Sequence, residues 1–375
     1  GKFGLGLKSI FHLCEAFFFL GQAGSGPSAR LIADVLNPWS GEHDDGFHPD
    51  WDVFSSGDRN RILAALAPFY GNSLCFCLWI PLRQRSQLAG NEPISHFYPG
   101  DTLPDWLTSR ELPTAIARLL PLLSTLVHVS GWSCGQRGAS QTFEVRLGAT
   151  AQRRQPFEQI RPKSPYLFGG DVAVARPSEQ QGEVAFVGVE HNPADTDLAA
   201  LEKTADWPSD LGRDRETGQA KIIREKAFQH AGVCLSTKQL LPGETGRLSI
   251  SWAVFLPLGE PEVLPLISAK IEVSLYLHGY FFVDAGRNHP VGLLETDGHS
   301  EERGSDEQLR RRWNRRLAKV GTLPLIPRIL SRLHLERPPN VRHAEMLDIT
   351  RAIQTSQFFA AWGPQVCHAE GWACL

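Results

Sequence analysis

The chain is short of methionine, of paired cysteine motifs, of long apolar runs and of net charge, and each shortage removes a class of protein. One methionine, Met346, stands among 375 residues. No Cys-x-x-Cys pair occurs among the seven cysteines (Cys14, Cys75, Cys77, Cys134, Cys234, Cys367, Cys374), so neither a zinc ribbon nor a thioredoxin-like dithiol is indicated. Their odd number and apolar surroundings point to buried, reduced thiols. No apolar stretch reaches the roughly 18 residues that span a bilayer as a helix. A secretory leader, with its charged region, apolar region and small-residue cleavage site, is not visible. A cytoplasmic protein without a membrane span is therefore expected. The formal net charge is −3 and the pI about 6.5, which gives no global attraction to nucleic acid or anionic lipid and leaves only a local patch as a route to either. No repeat of fixed period is present.

What remains is an ordinary globular composition. Hydrophobic residues make up 42% and charged residues 21%, enough to build a sizeable core. At roughly 100–200 residues per domain the length suggests two or three domains. Leu7, Ile10, Phe11, Cys14, Phe17 and Phe18 recur at three- and four-residue spacing and predict a helix over Leu5–Leu20 after a glycine turn. Ser28–Leu36 and Leu74–Leu82 read as strands. Asp58 is placed to cap a helix over Arg59–Ala67, and Leu112–Val127 reads as helical. Thr142–Leu147, Val184–Val189, Arg247–Leu258 and Ile271–Asp284 have the β-branched and aromatic content of strands. Lys221–Ala231 is expected to be a helix and 190–218 a polar surface excursion. Leu309, Trp313, Leu317 and Val320 line one face of a helix over Asp306–Val320, and His343–Phe359 predicts another.

The chemistry is concentrated at the start: Gly1-Lys2-Phe3-Gly4-Leu5-Gly6-Leu7-Lys8-Ser9. Glycines let backbone N–H groups approach an anion with no Cβ between. A following helix would add its unpaired amides and the positive end of its dipole, which together form a phosphate site. A dinucleotide fingerprint needs a preceding strand and an acidic residue about 20 positions on; Glu15 is too early and Asp34 too late. A Walker A loop needs Gly before Lys-Ser, where this chain has Leu7.

The full string Gly1–His12 resembles the glycine segment of the GHKL superfamily of ATPases, which includes gyrase B, the ninety-kilodalton heat-shock chaperone, MutL and sensor histidine kinases. The form is most similar to the chaperone and to sacsin-like ATP-binding proteins. Trp252–Gly259 and His278–Asp284 carry a weaker similarity to large bacterial sacsin-like proteins. The resemblance implies an α+β fold: the C-terminal part of a GHKL (Bergerat-type) α/β sandwich over 1–135, an α/β middle domain over 136–300 and a helical region over 301–375. It implies ATP and Mg²⁺ as cofactors. The cofactor-binding residues would be Gly4, Leu5, Gly6 and Leu7, with Gly1 and Lys2 at the edge and Lys8 as a charge partner. It also implies that the glutamate orienting the attacking water, the asparagine holding magnesium and the aspartate reading adenine precede this segment. On that view the chain is a piece of a longer ATPase, inactive by itself, whose parent would act on a protein client or as a homodimer. A non-catalytic nucleotide- or partner-binding scaffold is the alternative. The second domain of such ATPases commonly contributes a cation to the γ-phosphate; Lys238, in an expected loop, competes with Arg287 and Lys270 for that role. Ser73 is a candidate near adenine.

Other clusters carry less. His43, Asp44, Asp45, His48, Asp50 and Asp52 are ligand-like, but their spacing fits neither a calcium loop nor a zinc signature. Cys367 and His368 are adjacent, so their side chains diverge. Asp284-Ala285-Gly286 lacks the second glycine of a nucleotide motif. Arg310, Arg311, Arg312, Arg315 and Arg316 could contact nucleic acid, yet the apolar stripe of their helix makes a solvated face the plainer reading.

Overall fold

The computed structural model describes residues 9–14, 16–23, 30–36, 55–66, 76–84, 96–99, 102–135, 138–155, 159–177, 182–213, 220–224, 227–254, 256–284, 286, 288–293, 306–335 and 343–367. The chain divides into two compact units, Gly1–Ser109 and Arg110–Leu375. Both helices and strands build it, and its largest sheet is mixed, an α+β fold.

In the first unit a single 3₁₀ turn, Ser9–His12, leads into β1 (Phe17–Ala23). β1 is the middle of an antiparallel sheet, flanked by β2 (Arg30–Leu36) and β3 (Phe76–Trp79). The helix expected over Leu5–Leu20 is thus overturned where the chain is described. Phe17-Phe18-Phe19-Leu20 is a short apolar run whose spacing suits either state, and pairing on both edges selects the strand. Phe18 faces Trp79 across the sheet with the rings stacked at 4.8 Å. Helix α1 (Ser56–Leu66) starts earlier than expected because Ser55 is the cap. Its Oγ accepts from the Asp58 N–H at 3.1 Å and donates to the Asp58 carboxylate at 2.6 Å, a reciprocal capping arrangement. The short helix α2 (Asp105–Thr108) follows β3.

The second unit opens with α3 (Leu112–Leu119), shorter than expected because the chain passes through a 3₁₀ turn at Leu120–Leu122 and then enters β4. Its strands are β4 (His128–Gly135), β5 (Gly138–Leu147), β6 (Tyr166–Ala175), β7 (Gly182–His191), β10 (Ala231–Gln239), β11 (Arg247–Val254), β12 (Leu256–Pro257), β13 (Glu262–Pro265) and β14 (Ile271–Gly279). The order is β12-β11-β14-β10-β7-β6-β5-β4, with β13 also on β11. Neighbours are antiparallel except β11 and β14. A separate ribbon pairs β8 (Ser209–Arg213) with β9 (Ala220–Arg224).

Every residue of β14 is buried, as a strand covered on both faces requires. On one face α3 and its 3₁₀ turn pack Ala117, Leu120 and Leu122 against Val145, Phe168, Val174, Val184 and Phe186. On the other lie α5 (Asp306–Leu317), a π turn (Ala318–Thr322), α6 (Leu325–Leu335), α7 (His343–Thr355) and α8 (Gln357–Cys367). Leu309, Trp313 and Leu317 are buried there as the stripe predicts, and Trp313 meets Trp207 at 5.4 Å and Phe282 at 6.3 Å. Gly321 has no side chain where the π turn crosses β10; a Cβ there would stand 2.6 Å from that of Ala231.

Two further expectations fail. Lys221–Ala231 is not a helix: β9 ends at Arg224 and β10 begins at Ala231, with Ile222 and Ile223 paired to Leu211 and Asp210. The region 190–218 is not wholly a surface excursion. Glu190 and His191 end β7, a short helix α4 (Thr196–Glu202) follows, and Trp207 is 3% exposed.

Candidate functional site

The glycine-segment residues Gly1, Lys2, Gly4, Leu5, Gly6, Leu7 and Lys8 lie outside the described residues, as do Ser73, Arg287, His368 and the run His43–Asp52. The structure takes up the chain at Ser9, where the 3₁₀ turn is held by a clasp that sequence inspection did not single out. Arg83 is 1% exposed, and its guanidinium donates to the carbonyls of His12 (3.4 Å), Cys14 (3.2 Å) and His96 (3.2 Å). Its backbone N–H reaches the Leu13 carbonyl at 2.8 Å, and its own carbonyl accepts from Tyr98 N–H at 2.8 Å. A buried cation is costly unless its donors are satisfied. Here they are spent on the backbone immediately after the glycine segment.

In the second unit, polarity is concentrated on the α3 face of the sheet. Paired residues on adjacent strands share a face, so the register assigns them in rows. One row is Glu190, Gly232, His278 and Ala253; the next is Gly188, Cys234, Tyr276 and Ser251; then Phe186, Ser236, Ser274 and Ser249; then Val184, Lys238, Glu272 and Arg247. β7 passes close to Gly232, where an added Cβ would stand 3.1 Å from that of Glu190.

Glu190 is fully buried and fully engaged. One oxygen accepts from Arg154 Nε at 2.7 Å and from His230 Nε2 at 3.2 Å; the other accepts from the Gln155 N–H at 3.1 Å. Arg154 also donates to the Leu122 carbonyl. Burial opposes the charge on Glu190, but the His230 hydrogen bond and the Arg154 charge outweigh it and hold the carboxyl below its usual value. His278, whose ring meets His230 edge-on at 5.2 Å, is held well below the ordinary histidine value by burial and by the nearby Arg154. Burial also lowers His191, whose Nε2 lies 3.0 Å from the Gly321 carbonyl. Burial pushes the Cys234 thiol up to about 12, which makes it an inert core residue rather than a nucleophile. With both its oxygens occupied, Glu190 ties the Arg154 segment to β7 and is not arranged to abstract a proton.

Lys238 lies in β10 rather than in the expected loop, half-buried and in register with Glu272; Lys270 is exposed. Asp284 accepts from the N–H groups of Asn288 (2.7 Å) and His289 (3.0 Å), an ordinary turn. Three arginines of α5 have partners within the protein. Arg311 pairs with Glu307 at 2.6 Å, Arg315 donates to the Gly292 carbonyl at 3.0 Å, and Arg316 grips Asp195 at 3.0 and 2.6 Å. Arg312 and Arg315 are exposed. Among the described residues no group of three or more His, Cys, Asp or Glu could hold a metal ion, and no helix is long and apolar enough to cross a membrane. Comparison with protein-family models, curated proteins and solved structures gives no match, so the functional reading rests on the chain's own residues.

Proposed function

We propose that the chain belongs to an ATP-binding protein of GHKL type, of the chaperone-like or sacsin-like kind, and that it acts in the cytoplasm. The observation that carries the reading is the segment Gly1–Ser9. Amides of Gly4, Leu5, Gly6 and Leu7 would hold the nucleotide phosphates, with Gly1 and Lys2 at the edge and Lys8 supplying charge. The Arg83 clasp supports this reading, because a phosphate cradle needs its exit turn fixed and the clasp fixes that turn. Magnesium would neutralise phosphate charge. Among the described residues no group of three or more His, Cys, Asp or Glu is placed to hold it. Hydrolysis is not assigned to any residue of this chain. In the resembled family the water-orienting glutamate precedes the glycine segment, and the ATP cycle of the parent would drive a conformational change on a client or in a homodimer.

The test is calorimetric titration of MgATP, MgADP and tripolyphosphate into the protein and its Gly4→Val/Gly6→Val variant. Binding of all three to the wild type, weakened at least about tenfold by side chains placed where the amides must approach phosphate, is the expected result. Absence of binding, or equal binding by the variant, would overturn the reading.

A further inference from the structure

One end of the α3 face gathers three cations, Arg118, Lys238 and Arg247, around a single carboxylate among the described residues. Arg118 of α3 and Arg247 of β11 both bind Glu272, Arg118 on one oxygen and Arg247 on the other, with Arg247 Nε at 2.7 Å. Lys238 is the cross-strand neighbour of Glu272 on the same face. It makes no ion pair with a carboxylate among the described residues. Three cations thus face one carboxylate. The rest of the row is apolar, with Val184 on β7, Val172 on β6 and Pro265 on β13. Side-chain exposure falls from 54% at Arg247 to 17% at Arg118 and 7% at Glu272. One row deeper, Ser236 is 1% exposed. Its Oγ has no hydrogen-bond partner among the described residues, although Ser249 and Ser274 beside it bond each other at 3.1 Å. Buried hydroxyls are ordinarily paired, so one left open beside excess cations marks a place for an acceptor.

We propose that this cluster binds a phosphate group, as inorganic phosphate or as a phosphate monoester, with Lys238, Arg118 and Arg247 as cationic donors and the Ser236 hydroxyl, one row further in, as a fourth donor. Three cations and one carboxylate among the described residues leave two positive charges, which match a phosphate dianion. Glu272 holds both guanidiniums in place while leaving N–H groups for the ligand, because each carries five donors. The proposal is independent of the glycine segment.

The experiment titrates inorganic phosphate and O-phosphoserine into the full chain and into Lys238→Gln, Ser236→Ala and Thr237→Val. Lys238→Gln is expected to weaken phosphate binding about tenfold or more, the loss of one charge-assisted hydrogen bond. Ser236→Ala should weaken binding several-fold without lowering the melting temperature measured in phosphate-free buffer, since the hydroxyl it removes is unpaired. Thr237 is equally buried and unpaired but points to the opposite face, so Thr237→Val should leave phosphate affinity unchanged. Competition by ATP that persists in Gly4→Val would name a nucleotide as the phosphate source. Its absence would name a free phosphate or simple monoester; either result supports the site. No phosphate binding, equal affinity in Lys238→Gln and Ser236→Ala, or loss of phosphate binding in Gly4→Val would overturn it.

Discussion

At the scale of single residues, the buried charges of the second unit make its stability depend on pH in two stages. His278 and His191 bind protons less readily folded than unfolded, because burial disfavours their charge. Below the unfolded histidine value, about 6.5, the unfolded chain therefore takes up protons the folded chain refuses, and stability falls as pH falls. Glu190, Asp195 and Asp348 are held below the usual carboxylate range, so their contribution is present at neutral pH and is lost in a second, more acid step. Denaturant unfolding free energy measured from pH 7 to 5 should slope downward, and His278→Gln should flatten that slope by about one proton. A level wild-type profile over that window would contradict the assignment. Glu190→Ala should cost about 3–5 kcal/mol at pH 7, because it strands Arg154 as a buried cation. Urea unfolding measures it, and a loss below about 1 kcal/mol would mean that water reaches the guanidinium.

At the scale of elements, two polar side chains fasten helices to backbone outside the named strands. Asn314 of α5 accepts from Phe282 N–H at 2.7 Å and donates to the carbonyls of Phe282 (2.7 Å) and Val291 (2.8 Å), all buried or nearly so. Asn314→Ala removes the partner of the Phe282 N–H and of the Val291 carbonyl, while the Phe282 carbonyl keeps the Val291 N–H at 3.0 Å, and should destabilise by about 2 kcal/mol or more in urea unfolding. Asp348 of α7 accepts from the Ser268 N–H (2.5 Å), the Ser268 hydroxyl (2.7 Å) and the Ala269 N–H (2.9 Å), and so fixes the turn between β13 and β14. The same turn crowds Gly246, where an added Cβ would strike the Ala269 carbonyl, a backbone group that cannot rotate away. Gly246→Ala should therefore lower the thermal midpoint more than Gly182→Ala, whose Cβ would meet only ordinary contacts at 3.9 Å. Equal midpoints would show that the turn yields.

At the scale of the whole molecule, two compact units with separate sheets predict two calorimetric transitions. Phosphate should raise only the transition of the second unit, since Arg118, Lys238, Arg247, Ser236 and Glu272 all belong to it. A single transition, or one in which both midpoints rise together, would show that the units melt as one.

Residue order alone determined what repeats locally. The stripe Leu309, Trp313 and Leu317, the strand content of β7, β11 and β14, and the glycine segment are all visible because their information lies within a few positions. Tertiary structure decided everything that depends on a partner far along the chain. Phe17–Ala23 is a strand because β2 and β3 flank it, and Lys238 sits in a sheet because β7 and β14 do. Glu190 meets Arg154 across 36 positions and Glu272 meets Arg118 across 154. No local pattern announces those pairs, since an ion pair is selected by the energy of burying two charges together and not by their spacing in sequence. Arg315 and Arg316 show the same limit: part of a basic cluster by order, they become ties within the fold once the Gly292 carbonyl and Asp195 are brought beside them.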